Sequence, residues 1–90
     1  MLIKAVKIEP KIAVKIYEKH AVFTEEIEQV LKERKTVFKK VGGSQYIALG
    51  LWDRYLTIFF MYDSKTKEAS ITTAYPSSRK QIHIYKRLVK

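Results

Sequence analysis

The chain has 90 residues, of which 47% are hydrophobic and 30% charged, with a formal net charge of +9 and no cysteine. That is the size of one domain with a single modest core. It excludes disulfides, thiolate metal sites and a cysteine nucleophile, and it suits a reducing, cytoplasmic setting.

The N-terminal segment MLIKAVKIEPK carries regularly spaced lysines and no small-residue cleavage site, so it does not read as a secretory leader. Residues 2–8 form a short strand or an irregular lead-in. Pro10 suits the first turn of a helix, where its missing N–H costs nothing. That helix runs over 10–19, with Ile12, Ile16, Ala13 and Tyr17 as its apolar face. Lys11, Lys15 and Lys19 recur every four residues and share another face. Thr24 then reads as an N-cap, with Glu25 and Glu26 in the first turn, where the helix dipole favours acids. Ile27, Val30 and Leu31 make the apolar stripe of a second helix ending near Arg34.

The period then changes to two. KTVFKKV, QYIALGLW, YLTIFFMY and ASITTAY read as four strands. Gly42-Gly43-Ser44 is a hairpin turn, Asp53-Arg54 a tight connection with Trp52 packed over the sheet edge, and DSKTKE a polar loop. YLTIFFMY is apolar on both faces and belongs at the centre of the sheet. Its apolar run is too short to span a bilayer, so no membrane partner is expected. Pro76 stops the last strand. Ser78 with Gln81 three residues on is a capping-box pattern for a C-terminal helix. Ile82, Tyr85, Leu88 and Val89 point inward in that helix, while Arg79, His83, Lys86, Arg87 and Lys90 share an outer face. The expectation is a single α+β domain over 1–90: two helices, a four-stranded antiparallel sheet and a C-terminal helix.

From Tyr75 onward there are five cations and no acid. Such a field attracts phosphates, and nucleic acid is the first partner it suggests. The start of the last helix concentrates this, because Ser77, Ser78, Arg79 and Lys80 surround free helix N–H groups. Lys11, Lys15, Arg54, Thr73, His83, Lys86 and Arg87 complete the set expected to touch RNA. No cluster of metal ligands and no phosphate-cradling glycine loop is visible, and no metal or cofactor is expected. RNA cleavage needs neither. The 2′-hydroxyl is the nucleophile, and side chains need only move two protons and stabilise the phosphorane. His20, which follows Lys19, is the acid–base candidate because imidazole titrates near neutrality. The competing role for His20 is a structural interhelical one. Tyr75 can stack on a base or assist proton transfer, and Tyr62 is a weaker candidate of the same kind.

KHAVFTEEIEQVL, at 19–31, and ASITTAYPSSRKQIHIY, at 69–85, resemble the corresponding segments of BrnT-type toxins. Those belong to the RelE-like group within the barnase–EndoU–colicin–RelE-like ribonucleases. The resemblance covers about 9–88. It implies a RelE-like fold and a metal-independent endoribonuclease of a type II toxin–antitoxin pair. It also implies RNA, free or ribosome-bound, as substrate, and a cognate antitoxin as partner. Carried over by position, Lys19, His20, Arg79 and Tyr85 match the pattern and, with Tyr75, form the expected catalytic set. Tyr75 and Ile82 stand where the pattern has arginine, and Gln81 where it has glutamate. Two other readings stay open on sequence alone: a non-catalytic nucleic-acid-binding module, and a basic domain that binds an acidic protein.

Overall fold

A computed structural model of the chain describes residues 1–89; Lys90, counted above with the basic helix, lies outside the described residues. In chain order the elements are β1 (Ala5–Lys7), α1 (Pro10–His20), α2 (Thr24–Lys32), β2 (Val37–Gly42), β3 (Gln45–Leu51), β4 (Tyr55–Asp63), β5 (Glu68–Pro76) and α3 (Arg79–Leu88). The α+β class and the antiparallel run β2 to β5 are as expected, with β4 in the middle of the order β1-β5-β4-β3-β2. The sheet has five strands rather than four. β1 lies parallel to β5, pairing Val6 with Ala69, so the sheet is mixed. The lead-in is recruited because its ends are tied down: the Tyr62 hydroxyl donates to the Leu2 carbonyl at 2.6 Å, and Lys7 meets Glu68 at 3.4 Å. That bond gives Tyr62 a structural role.

The pairing register sorts the side chains. Leu56, Ile58 and Phe60 of β4 share one face with Ala48 of β3 and with Ala69, Ile71 and Ala74 of β5. All are buried, and they form the core with Ile16 and Val22 and with Ile27, Val30 and Leu31 of α2. Strict alternation cannot put Ile71 and Ala74 on one face, since they are three apart. A bulge solves this. Phe60 pairs with Ile71 and Phe59 with Thr73, which leaves Thr72 unopposed. The same step turns Thr73 and Tyr75 onto the opposite face. That second face is covered only in part, by α3, which buries Tyr85 edge-on to Tyr55 at 5.8 Å between centroids.

Three local expectations change. Thr24 is the first helical residue of α2 and not its cap; the N-cap is Phe23, and the Glu26 carboxylate accepts its N–H at 3.0 Å. The acid at the third helical position thus makes the reciprocal half of a capping box, accepting the N–H of the N-cap residue, while Phe23 has no side-chain acceptor to make the other half. Leu88 is 59% exposed, because the inner line of α3 runs through Ile82, Tyr85 and Val89. Trp52 is 47% exposed in its turn, so at most part of the indole is covered. Ser78 caps α3 as expected, with Gln81 N–H donating to its Oγ at 3.2 Å and Ser78 N–H donating to Gln81 Oε1 at 2.9 Å. No described helix is long and apolar enough to cross a membrane.

α2 packs so tightly on β3 that a Cβ on Gly50 would lie 2.6 Å from Thr36 Oγ1 and 2.7 Å from Val30 Cγ1. The Thr36 hydroxyl donates to the Val30 carbonyl and the Val30 side chain is fully buried, so neither neighbour has open space to move into. Gly50→Ala should therefore cost about 1–3 kcal/mol through overpacking. Gly42→Ala, where the added methyl meets open space, should stay within about 0.5 kcal/mol. Urea unfolding midpoints of the two variants check this, and equal midpoints would contradict the close approach.

Candidate functional site

α1 ends at His20 because the next residue, Ala21, turns left-handed (φ 53°, ψ 39°), with its N–H donating to the Tyr17 carbonyl at 2.8 Å. A non-glycine residue there is held against an intrinsic cost. Arg54, from the turn between β3 and β4, supplies the hold. Its Nη2 donates to the Ala21 carbonyl at 2.6 Å. The same guanidinium grips Glu26 in bidentate fashion, Nε to Oε1 at 2.9 Å and Nη2 to Oε2 at 3.0 Å. Arg54 therefore does not stand free for RNA as expected from the sequence, since its fork is already matched to a carboxylate. Its role is to fix the corner that carries His20.

β1 pairs only as far as Ser70, so the remaining edge of β5 is open to α1. Around that edge the His20 ring meets the Tyr75 ring, 5.7 Å between centroids and tilted 49°. Phe59 lies on the other side of Tyr75 at 6.2 Å. A cleft of about 210 Å³ opens beside His20, lined also by Lys15, Lys19, Thr72 and Thr73, with Ile12 and Ile16 as its floor.

Hydrogen bonds define the state of Tyr75. The Ser78 N–H can only donate, so it fixes Gln81 Oε1 and turns the amide NH₂ toward Tyr75. Gln81 Nε2 then donates to the Tyr75 hydroxyl at 3.0 Å. Thr57, fully buried in the central strand, donates to the same Oε1 at 3.0 Å. Ser77 Oγ, 2.8 Å from Thr57 Oγ1, is consequently the donor in that pair. The phenol thus accepts within the network, which leaves its own proton uncommitted. A group fixed in this way can give a proton to an anion in the cleft.

The structure brings together His20, Lys15, Lys19, Thr73 and Tyr75, with Ser77 and Ser78 behind them in the network. Lys11 is exposed one turn earlier on α1. Arg79, Lys80, His83, Lys86 and Arg87 are exposed on α3, outside the cleft lining. Among them Lys86 lies over the Tyr55 ring, 5.8 Å from its centroid. Tyr85 is not in the cleft. It is a buried packing residue of α3, and burial pushes its hydroxyl up from its ordinary value, away from use as a base. Thr57 and Phe59 did not stand out in the sequence. A lone threonine within the apolar run YLTIFFMY was the available signal for the first; an alternating phenylalanine gave none for the second.

No family profile matches the chain, and no curated protein matches it by sequence. Its backbone does match a solved structure, the 1.1 Å crystal structure of the Brucella abortus ribonuclease toxin BrnT. The TM-score is 0.68 over 83% of this chain and 97% of that chain. The chain has the fold of BrnT. At 11% identity the likeness lies in the path of the backbone, so the BrnT fold supplies the frame and the side chains above are this chain's own.

The Arg54 hydrogen bonds hold the Glu26 carboxyl below its ordinary value of 4.5, against burial, which raises it. A carboxyl depressed in the folded state adds stability above its unfolded value, and that contribution is lost as pH falls through the folded value. Glu26→Gln keeps an acceptor for Phe23 but loses the ionic part, and should cost about 1 kcal/mol at neutral pH, since Arg54 is partly solvated. The difference between wild type and variant in melting temperature should shrink as pH falls below the ordinary carboxyl value of 4.5 and through the lower folded one. A pH-independent difference would show that the pair does not carry this charge-linked stability.

Proposed function

We propose that this chain is an endoribonuclease toxin that cuts RNA by 2′-hydroxyl attack, is held in check by a cognate antitoxin, and acts in the cytoplasm. The observation that carries the reading is the His20–Tyr75 pair beside a lysine-bearing cleft, with the phenol oriented by Gln81. His20 takes the 2′-hydroxyl proton. The 2′-oxygen forms a bond to the adjacent phosphorus, and the bond from phosphorus to the 5′-oxygen breaks. Tyr75 gives its uncommitted proton to that leaving oxygen, which yields a 2′,3′-cyclic phosphate and a 5′-hydroxyl end. Lys15 and Lys19 face the non-bridging oxygens, where charge accumulates in the phosphorane. Phe59 extends an aromatic surface on which an unpaired base can stack. All of this proceeds through side chains, without calling on a metal ion at the phosphate. Arg79, Lys80, His83 and Arg87 on α3 act earlier, by drawing the polyanion in and setting the salt dependence. The BrnT fold and the resemblance at 19–31 and 69–85 support the same reading.

The test is cleavage of a labelled single-stranded RNA at low salt, and of ribosome-bound messenger in parallel. His20→Ala should lower the rate about 10²–10⁴-fold, and Tyr75→Phe should lower it by a smaller factor, with RNA binding retained in both. A 2′-deoxy linkage should resist cutting. RNA that is bound but left intact by the wild type in both assays would instead make the chain a nucleic-acid-binding module.

A further inference from the structure

α1 forms a track beside β5. β1 runs parallel to β5 and leaves it where Lys7 pairs with Ser70, and α1 opens at Pro10. The helix then climbs past Thr72 and Thr73 until its last residue, His20, meets Tyr75. Lys11, Lys15 and Lys19 are exposed along one side of it, each about 6 Å of helical rise from the next. An extended single strand sets its phosphates at a comparable step. The ion pairs among the described residues, Lys7–Glu68 and Arg54–Glu26, leave these three lysines unengaged, and no residue lining the cleft is acidic.

On the other side of the His20–Tyr75 pair the surface changes from charge to ring. Phe59 is half-buried, 6.2 Å from the Tyr75 ring and tilted 32° to it. Its paired row continues across the sheet through Ile47 to Lys39. Phosphates are therefore served on the α1 side, and a base first on the sheet side.

We infer that an unpaired RNA strand crosses this site in one direction, its 5′ flank along the lysines of α1 and the first base after the cut on Phe59. The direction rests on the function proposed above. Attack and departure at phosphorus are in line, so the 2′-oxygen and the leaving 5′-oxygen sit on opposite sides of it. His20 serves the first and Tyr75 the second. The nucleotide that carries the 2′-hydroxyl, on the 5′ side of the cut, thus lies toward α1, and the nucleotide on the 3′ side lies toward the sheet. With Lys15 and Lys19 at the phosphate that is cut, Lys11 meets the phosphate before it. A strand laid the other way would put His20 at the leaving oxygen and Tyr75 at the attacking one. The occupant is single-stranded because a base paired and stacked in a duplex has no free face for Phe59.

The probe is an oligodeoxyuridine of about five nucleotides, which lacks the attacking hydroxyl and stays intact, with a nitroxide at its 5′ or its 3′ end. Each is titrated at low salt into the wild-type full chain. The 5′ label should broaden the amide resonances of Lys11 and Lys15 and spare those of Ile47 and Phe59; the 3′ label should do the reverse. Lys11→Gln should lower the slope of log affinity against log salt by about 0.7, the loss of one phosphate contact on a single strand. Phe59→Leu should lower affinity about tenfold and leave that slope unchanged, with circular dichroism of both variants like that of the wild type. Exchanged broadening patterns would overturn the direction. Equal broadening of both surfaces by either label, or of neither surface, would overturn the path itself. A chain that binds with the expected polarity yet cuts no RNA would refute the cleavage and not the path, so the two failures stay distinct.

Discussion

Arg54 joins three parts of the molecule with one guanidinium. Its fork holds Glu26, its Nη2 reaches the carbonyl of Ala21, and it projects from the turn between β3 and β4. Glu26 in turn accepts the Phe23 N–H and so caps α2. Both sides of the short α1–α2 corner are therefore referred to the sheet through a single planar group. The corner needs that reference, because Ala21 occupies a left-handed conformation that an alanine does not prefer. His20 is the residue before it. The position of the imidazole over the β5 edge thus depends on an ion pair that never touches it.

A second constraint acts from the sheet. The unopposed Thr72 reverses the parity of β5, so Ile71 and Ala74 both reach the core while Thr73 and Tyr75 turn to the other face. Without that extra residue, Tyr75 and Ile71 would share a face, and either the core would lose Ile71 or His20 would lose its contact with Tyr75. The short β1 completes the arrangement by stopping at Ser70, which leaves the upper edge of β5 for α1. Tyr75 then stands where an edge, a helix end and the capping box of α3 converge. Gln81 serves cap and phenol together, so the fold of α3 and the orientation of Tyr75 are one hydrogen-bonded unit.

Much of this was legible in the residues, and the remainder was hidden for physical reasons. Periodicity located three helices and the four antiparallel strands, and Ser78-Gln81 announced its capping box. The fifth strand was ambiguous because its three paired residues are too few for a period to declare itself. Thr24 misled because a hydroxyl residue ahead of two glutamates looks like a cap, whereas the carboxylate of Glu26 had been recruited by a partner 28 positions away. Arg54 misled for the same reason, since an arginine in a turn carries no mark of its ion pair. His20, Lys19 and Tyr75 were identifiable as chemistry-bearing residues, but their meeting depends on the bulge, and ITTAY contains no glycine or proline to reveal one. Tyr85 was singled out through resemblance, whereas its place in the period of α3 already pointed inward.

Two of the positions where this chain departs from the BrnT-type pattern lie at the two ends of one hydrogen bond. Tyr75 stands in place of an arginine and Gln81 in place of a glutamate, and their polar atoms are 3.0 Å apart. Oppositely charged residues at these positions could pair ionically across the same gap; here a neutral phenol and a neutral amide do so. The exchange is coherent rather than a pair of separate losses. A glutamine facing an arginine would leave a cation without its carboxylate, and a glutamate facing Tyr75 would draw the phenol proton toward itself. With the amide donating, the phenol is held in place and its proton remains available. Neither Tyr75 nor Gln81 brings charge to this point. On the proposed function the anion is then held by Lys15 and Lys19 at the cleft and attracted from further away by the exposed cations of α3, which divides attraction and chemistry between two surfaces.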